Sequence, residues 1–116
     1  MRFIMILALV MLTQCNQEPL SCTDEFVYGL NITLKDATTS LAITEDVTVT
    51  AHDNDYEEEL MTYGMNSFYG AGERPGNYII EVIADGYEAY TSGVIQVDAG
   101  ECHVIPESLE IVLQPL

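Results

Sequence analysis

From residue 26 onward the chain alternates between apolar and polar positions. Phe26, Tyr28, Leu30, Ile32 and Leu34 are spaced two apart and separated by Val27, Gly29, Asn31, Thr33 and Lys35, the period of a half-buried strand. The run from Asp36 to Ser40 (DATTS) is turn chemistry. Val47, Val49 and Ala51 alternate with Thr48, Thr50 and His52 to predict a second strand. Tyr78, Ile80, Val82 and Ala84 form the clearest alternation of all. Residues 94–97 and 108–113 complete the stronger set, the latter with Leu109, Ile111 and Leu113 facing inward. Weaker candidates at 60–63 and 67–70 flank Gly64, Met65 and Asn66. No stripe of helical period is sustained after residue 15. About seven short strands separated by turns predict an all-β fold, an antiparallel seven-stranded β-sandwich.

The first residues follow another pattern. Arg2 precedes an unbroken apolar run from Phe3 to Leu12. That run is too short to span a bilayer core, which takes about 20 residues, and it suits the apolar region of a signal peptide. Leu12, Thr13, Gln14 and Cys15 follow, and they resemble the lipobox of bacterial lipoproteins, in which a lipid is attached to the cysteine. Gln14 departs from the small residue usual before that cysteine. The resemblance implies a signal peptide at 1–14, a lipidated Cys15, a tether over 15–25 and a domain over 26–116. It also implies attachment to a bacterial membrane through the anchor, on the extracytoplasmic side.

Cysteine count fits export. With Cys15 lipidated, Cys22 and Cys102 either pair in an oxidising compartment or remain as two buried thiols. No C-x-x-C spacing points to zinc.

Charge narrows the partners. The 116 residues carry 19 acids against three bases, a net charge of −16, yet 48% are apolar. The apolar share separates the chain from disordered acidic tails. The charge excludes sequence-independent nucleic-acid binding, which needs Lys and Arg to neutralise phosphates. It also leaves acyl chains, and not the protein face, to make any contact with anionic lipid.

A second resemblance lies in the body. Gly76, Tyr78, Ile80, Val82, Ala84, Gly86 and Tyr87 stand in the spacing G-x-Y-x-I-x-V-x-A-x-G-Y, which resembles carboxypeptidase regulatory-like domains. That family has a seven-stranded transthyretin-like sandwich, and the resemblance extends over about residues 26 to 114. The approach from Glu73 to Gly76 and the segment from Glu101 to Val104 are similar to a lipoprotein subgroup of this fold. Residues 40–46 lack the proline and glycine usual in the family between its first two strands. The resemblance implies a fold and no enzymatic role.

Three constellations bear on chemistry. Asp53, Asp55 and Glu57 lie two apart in an acidic run and are candidate oxygen ligands for calcium, although the run lacks the glycine and twelfth-position acid of an EF-hand. His52, His103, Met61 and Met65 are candidate copper ligands, and the methionines are as readily core fillers. Tyr56, Tyr63, Tyr69, Tyr87 and Tyr90 lie off the strongest alternating faces and are candidates for an exposed patch or for packing at the ends of the fold. No nucleophile, metal-protease or similar catalytic motif is present. The expectation is a non-enzymatic accessory or protein-binding module at the cell envelope. The alternative is a small module that binds carbohydrate or calcium through acidic, tyrosine-rich loops.

Overall fold

A computed structural model describes residues 21–116. The expected signal peptide over 1–14, the expected lipidation of Cys15 and the first part of the expected tether lie outside the described residues. Among the described residues there are seven strands and no helix: β1 (Tyr28–Asp36), β2 (Val47–Asp53), β3 (Tyr56–Leu60), β4 (Ser67–Gly72), β5 (Gly76–Ala84), β6 (Tyr90–Val97) and β7 (Glu107–Leu113). They form a three-stranded sheet in the order β4-β1-β7 and a four-stranded sheet in the order β3-β2-β5-β6.

The alternation read from the sequence decides what is buried. Leu30, Ile32 and Leu34 of β1, Val49 and Ala51 of β2, and Tyr78, Ile80 and Val82 of β5 are fully buried. Ile111 and Leu113 of β7 join them, so both sheets contribute to one core in a β-sandwich-like arrangement. Residues on the opposite faces of these strands meet solvent. On the four-stranded sheet, Thr50 pairs with Glu59 and with Glu81, and His52 with Glu57 and Ile79, which places the carboxylates on the outer face.

Three features differ from the reading of the sequence. The fold is not wholly antiparallel, because β1 and β7 run parallel from Leu30↔Glu107 to Asp36↔Leu113. Alternation reports which face is buried and carries no sign of strand direction. The weak strand at 60–63 is displaced to β3, which contains Glu57, Glu58 and Glu59. Glu57 and Glu59 are accommodated because β3 is an edge strand, where charge stays solvated and discourages pairing with other chains, while the half-buried Glu58 accepts hydrogen bonds from the Tyr56 hydroxyl and the Ala71 amide. Phe26 is the third difference: it precedes β1 and is 61% exposed, so it does not continue the core row.

Turn chemistry links the elements. Asp36 ends β1, and its Oδ1 accepts hydrogen bonds from the amides of Thr38 and Thr39 at 2.7 and 2.8 Å. Asn54 sits in the two-residue turn between β2 and β3 at φ 55°, a left-handed conformation that asparagine tolerates.

The connection from β6 to β7 passes between the sheets and carries Cys102. A disulfide joins it to Cys22, 80 residues earlier. The described part of the tether is thereby fixed to the body, and such a bond is typical of oxidising, extracytoplasmic compartments. Replacing both cysteines by alanine is expected to lower the unfolding free energy by about 4 kcal/mol, the entropy of a closed loop of this length. Urea unfolding of the two proteins under non-reducing conditions measures the difference.

Candidate binding surface

The tyrosines fall into separate groups. Tyr28 at the start of β1 meets Tyr69 of β4 with ring centroids 5.6 Å apart, and Tyr63 from the β3–β4 connection at 6.0 Å. Tyr63 and Tyr69 are 6.4 Å apart, and Phe26 stands edge-on to Tyr28 at 5.2 Å. Phe26 reaches this place because its ring lies against Gly72, in the space that a β-carbon would fill. A hydrogen bond with Tyr63, then burial and the charge of Glu58, raise the Tyr28 pKa above its ordinary value.

The group is a surface and not a core. Phe26 and Tyr63 are 61% and 60% exposed, and Met61 and Met65 beside them in the same connection are 50% and 58% exposed. Met61 is tied to Tyr69 by a pair of backbone hydrogen bonds of 3.2 and 2.8 Å, which aligns the connection along β4. Exposed aromatics and methionines gathered in one place are characteristic of protein interfaces.

Phe26 is positioned by a second cluster. Both oxygens of Glu73 accept backbone amides: Oε2 from Val27 at 3.0 Å and Oε1 from Val104 at 3.2 Å. His103 Nδ1 donates to Glu73 Oε2 at 2.6 Å, and its Nε2 lies 3.1 Å from the Thr23 hydroxyl. With the disulfide at Cys22, these bonds hold the segment from Cys22 to Val27 at both of its ends. The hydroxyl–imidazole–carboxylate order matches a nucleophilic triad. Here, however, the hydroxyl is that of Thr23, an exposed residue of the tether. Two concavities, lined by Glu88, Tyr90 and Leu113 and by Ile43, Glu45 and Tyr87, do not include the three residues.

Burial alone would raise the Glu73 pKa. The His103 hydrogen bond and the Val27 and Val104 amides outweigh it, and the net value lies below the ordinary one. Asp36 is likewise lowered, chiefly by the Tyr87 hydroxyl, which donates to it at 2.5 Å. Each carboxylate therefore stabilises the fold fully above the ordinary carboxylate range, and the contribution is lost as pH falls through its depressed folded-state value. Neutralising the other surface acids relieves self-repulsion over the same range, so a difference between variants isolates the effect. Glu73→Gln is expected to melt lower than the parent at neutral pH, with the gap closing on acidification. Thermal melts of both proteins across pH test this.

The candidate calcium ligands are not brought together. Asp53 Oδ2 binds Arg74 Nη1 at 3.0 Å, while Asp55 is exposed in the turn and Glu57 on the outer edge of β3. No group of three or more His, Cys, Asp or Glu side chains is placed to hold a metal among the described residues. The two-residue turn sets Asp53 opposite Tyr56 and Glu57 opposite His52, so Asp53 and Glu57 lie on opposite faces of the hairpin and spacing by two in sequence did not become convergence in space. The histidines are apart as well: His52 pairs with Glu81 at 3.5 Å, and His103 with Glu73.

Arg74 instead organises the interior end of the acidic run. Its guanidinium lies 3.7 Å above the Tyr56 ring, and Nη1 donates to the Tyr78 hydroxyl at 2.9 Å. Tyr78 in turn donates to the Arg74 carbonyl at 2.6 Å. Glu58 Oε1 accepts from the Tyr56 hydroxyl at 2.8 Å and from the Ala71 amide at 2.9 Å. Burial first, and the Glu58 hydrogen bond second, push the Tyr56 pKa up to about 12. Glu58→Gln is expected to lower that value while leaving it above the ordinary tyrosine range, because burial persists. Ultraviolet titration of the phenolates measures it, and an unchanged Tyr56 would contradict the assigned cause.

Of the five tyrosines singled out in the sequence, the structure brings Tyr63 and Tyr69 together, with Tyr28 and Phe26 added. Tyr56 belongs to the Arg74 network and Tyr87 to Asp36. The chain matches no protein-family model, and no curated protein matches it.

Proposed function

We propose that this chain is a lipid-anchored, extracytoplasmic protein-binding module of the bacterial envelope, without catalytic activity of its own. The observation that carries the reading is the exposed patch of Phe26, Tyr28, Met61, Tyr63, Met65 and Tyr69 on a disulfide-closed body. A lone exposed apolar residue is ordinary, whereas Tyr28, Tyr63 and Tyr69 in mutual contact, with Phe26 against Tyr28 and exposed methionines in the same connection as Tyr63, call for a partner. The disulfide supports the extracytoplasmic part. The apolar run before Cys15 supports the anchor. The reading without catalysis is supported by the exposed position of the Thr23 hydroxyl, outside both concavities.

The finer fold assignment, a carboxypeptidase regulatory-like (transthyretin-like) sandwich, belongs to the same proposal. It is supported by where its signature falls: the alternating residues occupy β5, and Gly86 makes the following turn at φ 85°. A second reading, carbohydrate binding, is favoured by one observation. The Tyr28 and Tyr63 rings are tilted by only 26° and Tyr63 is largely exposed, which offers a face for a sugar ring.

The anchor is tested by expressing the full chain in a bacterial host. The intact mass is expected to show cleavage before Cys15 and added acyl groups, and Cys15→Ser should move the protein from the membrane to the soluble fraction. An unmodified Cys15 in a membrane-free protein would overturn the anchored reading.

A further inference from the structure

We propose that the aromatic patch receives a protein partner whose contact face combines apolar side chains with arginine or lysine. The inference rests on the binding-module reading and concerns the chemistry of the partner.

Charge decides it. Lys35 and Arg74 are the two basic side chains within residues 21–116, and both are already engaged. Lys35 Nζ lies 2.9 Å from Glu110, and Arg74 lies 3.0 Å from Asp53 with its plane over Tyr56. An anionic partner docking here would bring its charges to a surface with no free cation among the described residues. A cationic partner meets the reverse. Asp24 and Glu25, both exposed, immediately precede Phe26 in the chain. Glu58 adds a negative potential at Tyr28. Tyrosine faces attract cations directly, and the planar guanidinium also stacks on them. Carboxylates together with exposed rings thus form a receptor for arginine or lysine set among apolar groups.

The same argument disfavours a second copy of this chain. A two-fold interface would set Asp24 and Glu25 of one copy near an equally acidic surface, with no spare cation to answer them. A neutral sugar would use the rings and gain nothing from the acids.

The test uses the full chain in zwitterionic nanodiscs and three probes: a short peptide alternating arginine and leucine, its glutamate–leucine counterpart, and a neutral gluco-oligosaccharide. Fluorescence anisotropy gives affinity, and amide NMR gives the place. The arginine peptide is expected to shift residues 26–28 and 61–69, and to weaken about tenfold when salt rises from about 50 to about 300 mM. Tyr63→Ser, at an exposed position, is expected to weaken it about tenfold with the NMR spectrum elsewhere unchanged. Tyr63→Lys, which places a cation in the patch, should weaken it further.

Equal binding of the glutamate peptide would overturn the proposal, as would shifts spread evenly over the acidic surface or no effect of either Tyr63 variant. If the oligosaccharide instead shifts the patch without salt dependence, the cationic-partner proposal fails while a binding surface stands. If no probe shifts the patch, both fail.

Discussion

Glu73 joins the segments that lead into β1 and β7. Its carboxylate accepts the amides of Val27, before β1, and Val104, before β7, and its own amide donates to the Val27 carbonyl at 2.8 Å. The parallel pair β1–β7 is therefore fixed at the end where both strands begin. Glu73 holds a left-handed φ of 49°, which costs a residue with a β-carbon on the order of 1 kcal/mol or more. Such a conformation persists where the surroundings over-determine it, and here three side-chain hydrogen bonds and one backbone bond do so. The disulfide one turn away constrains the same segment covalently. Phe26 lies between these two restraints, and without them its ring would have no fixed place on Gly72.

The rest of the molecule is arranged around a shortage of cations. Each basic side chain of the body sits where it answers a carboxylate, and Arg74 also closes the end of the core through Tyr56 and Tyr78. The remaining acids are spread over outer faces, turns and the β3 edge, where water screens them. The acidity thus serves solubility and edge protection over most of the surface. At the aromatic patch it acquires another consequence, because carboxylates next to exposed rings select the sign of what can bind.

Much of this order is legible from residue types. β1, β2, β5 and β7 follow from period-two alternation, because a strand with one buried face must place its apolar residues two apart. The pairing of Cys22 with Cys102 was open from composition once Cys15 was assigned to lipid. β3 was displaced because an edge strand solvates Glu57 and Glu59, and the Tyr56 hydroxyl and Ala71 amide hold Glu58, so three consecutive glutamates form a strand where the pattern reads as a loop. The direction of β7 against β1 leaves no trace in alternation at all. The patch was half visible: Tyr63 and Tyr69 stood out as unassigned, but Tyr28 and Phe26 looked like core positions. Their convergence depends on Gly72 and Glu73, which are distant from both in sequence. The acidic run suggested a metal site because spacing by two in a loop can converge, whereas here a two-residue turn between Asp53 and Glu57 puts the two on opposite faces of a hairpin.

A covalent and hydrogen-bonded clasp presents an exposed aromatic surface, and we propose that this surface serves recognition in the envelope. Amide hydrogen exchange tests the link most directly, measured on the full chain in envelopes isolated from an expressing bacterium and on the purified protein alone. Recognition through the patch predicts slower exchange at residues 26–28 and 61–69 in the envelopes, with the outer face of β5 and β6 unchanged. Identical exchange at those residues in both settings, or protection confined to the β5–β6 face, would contradict it.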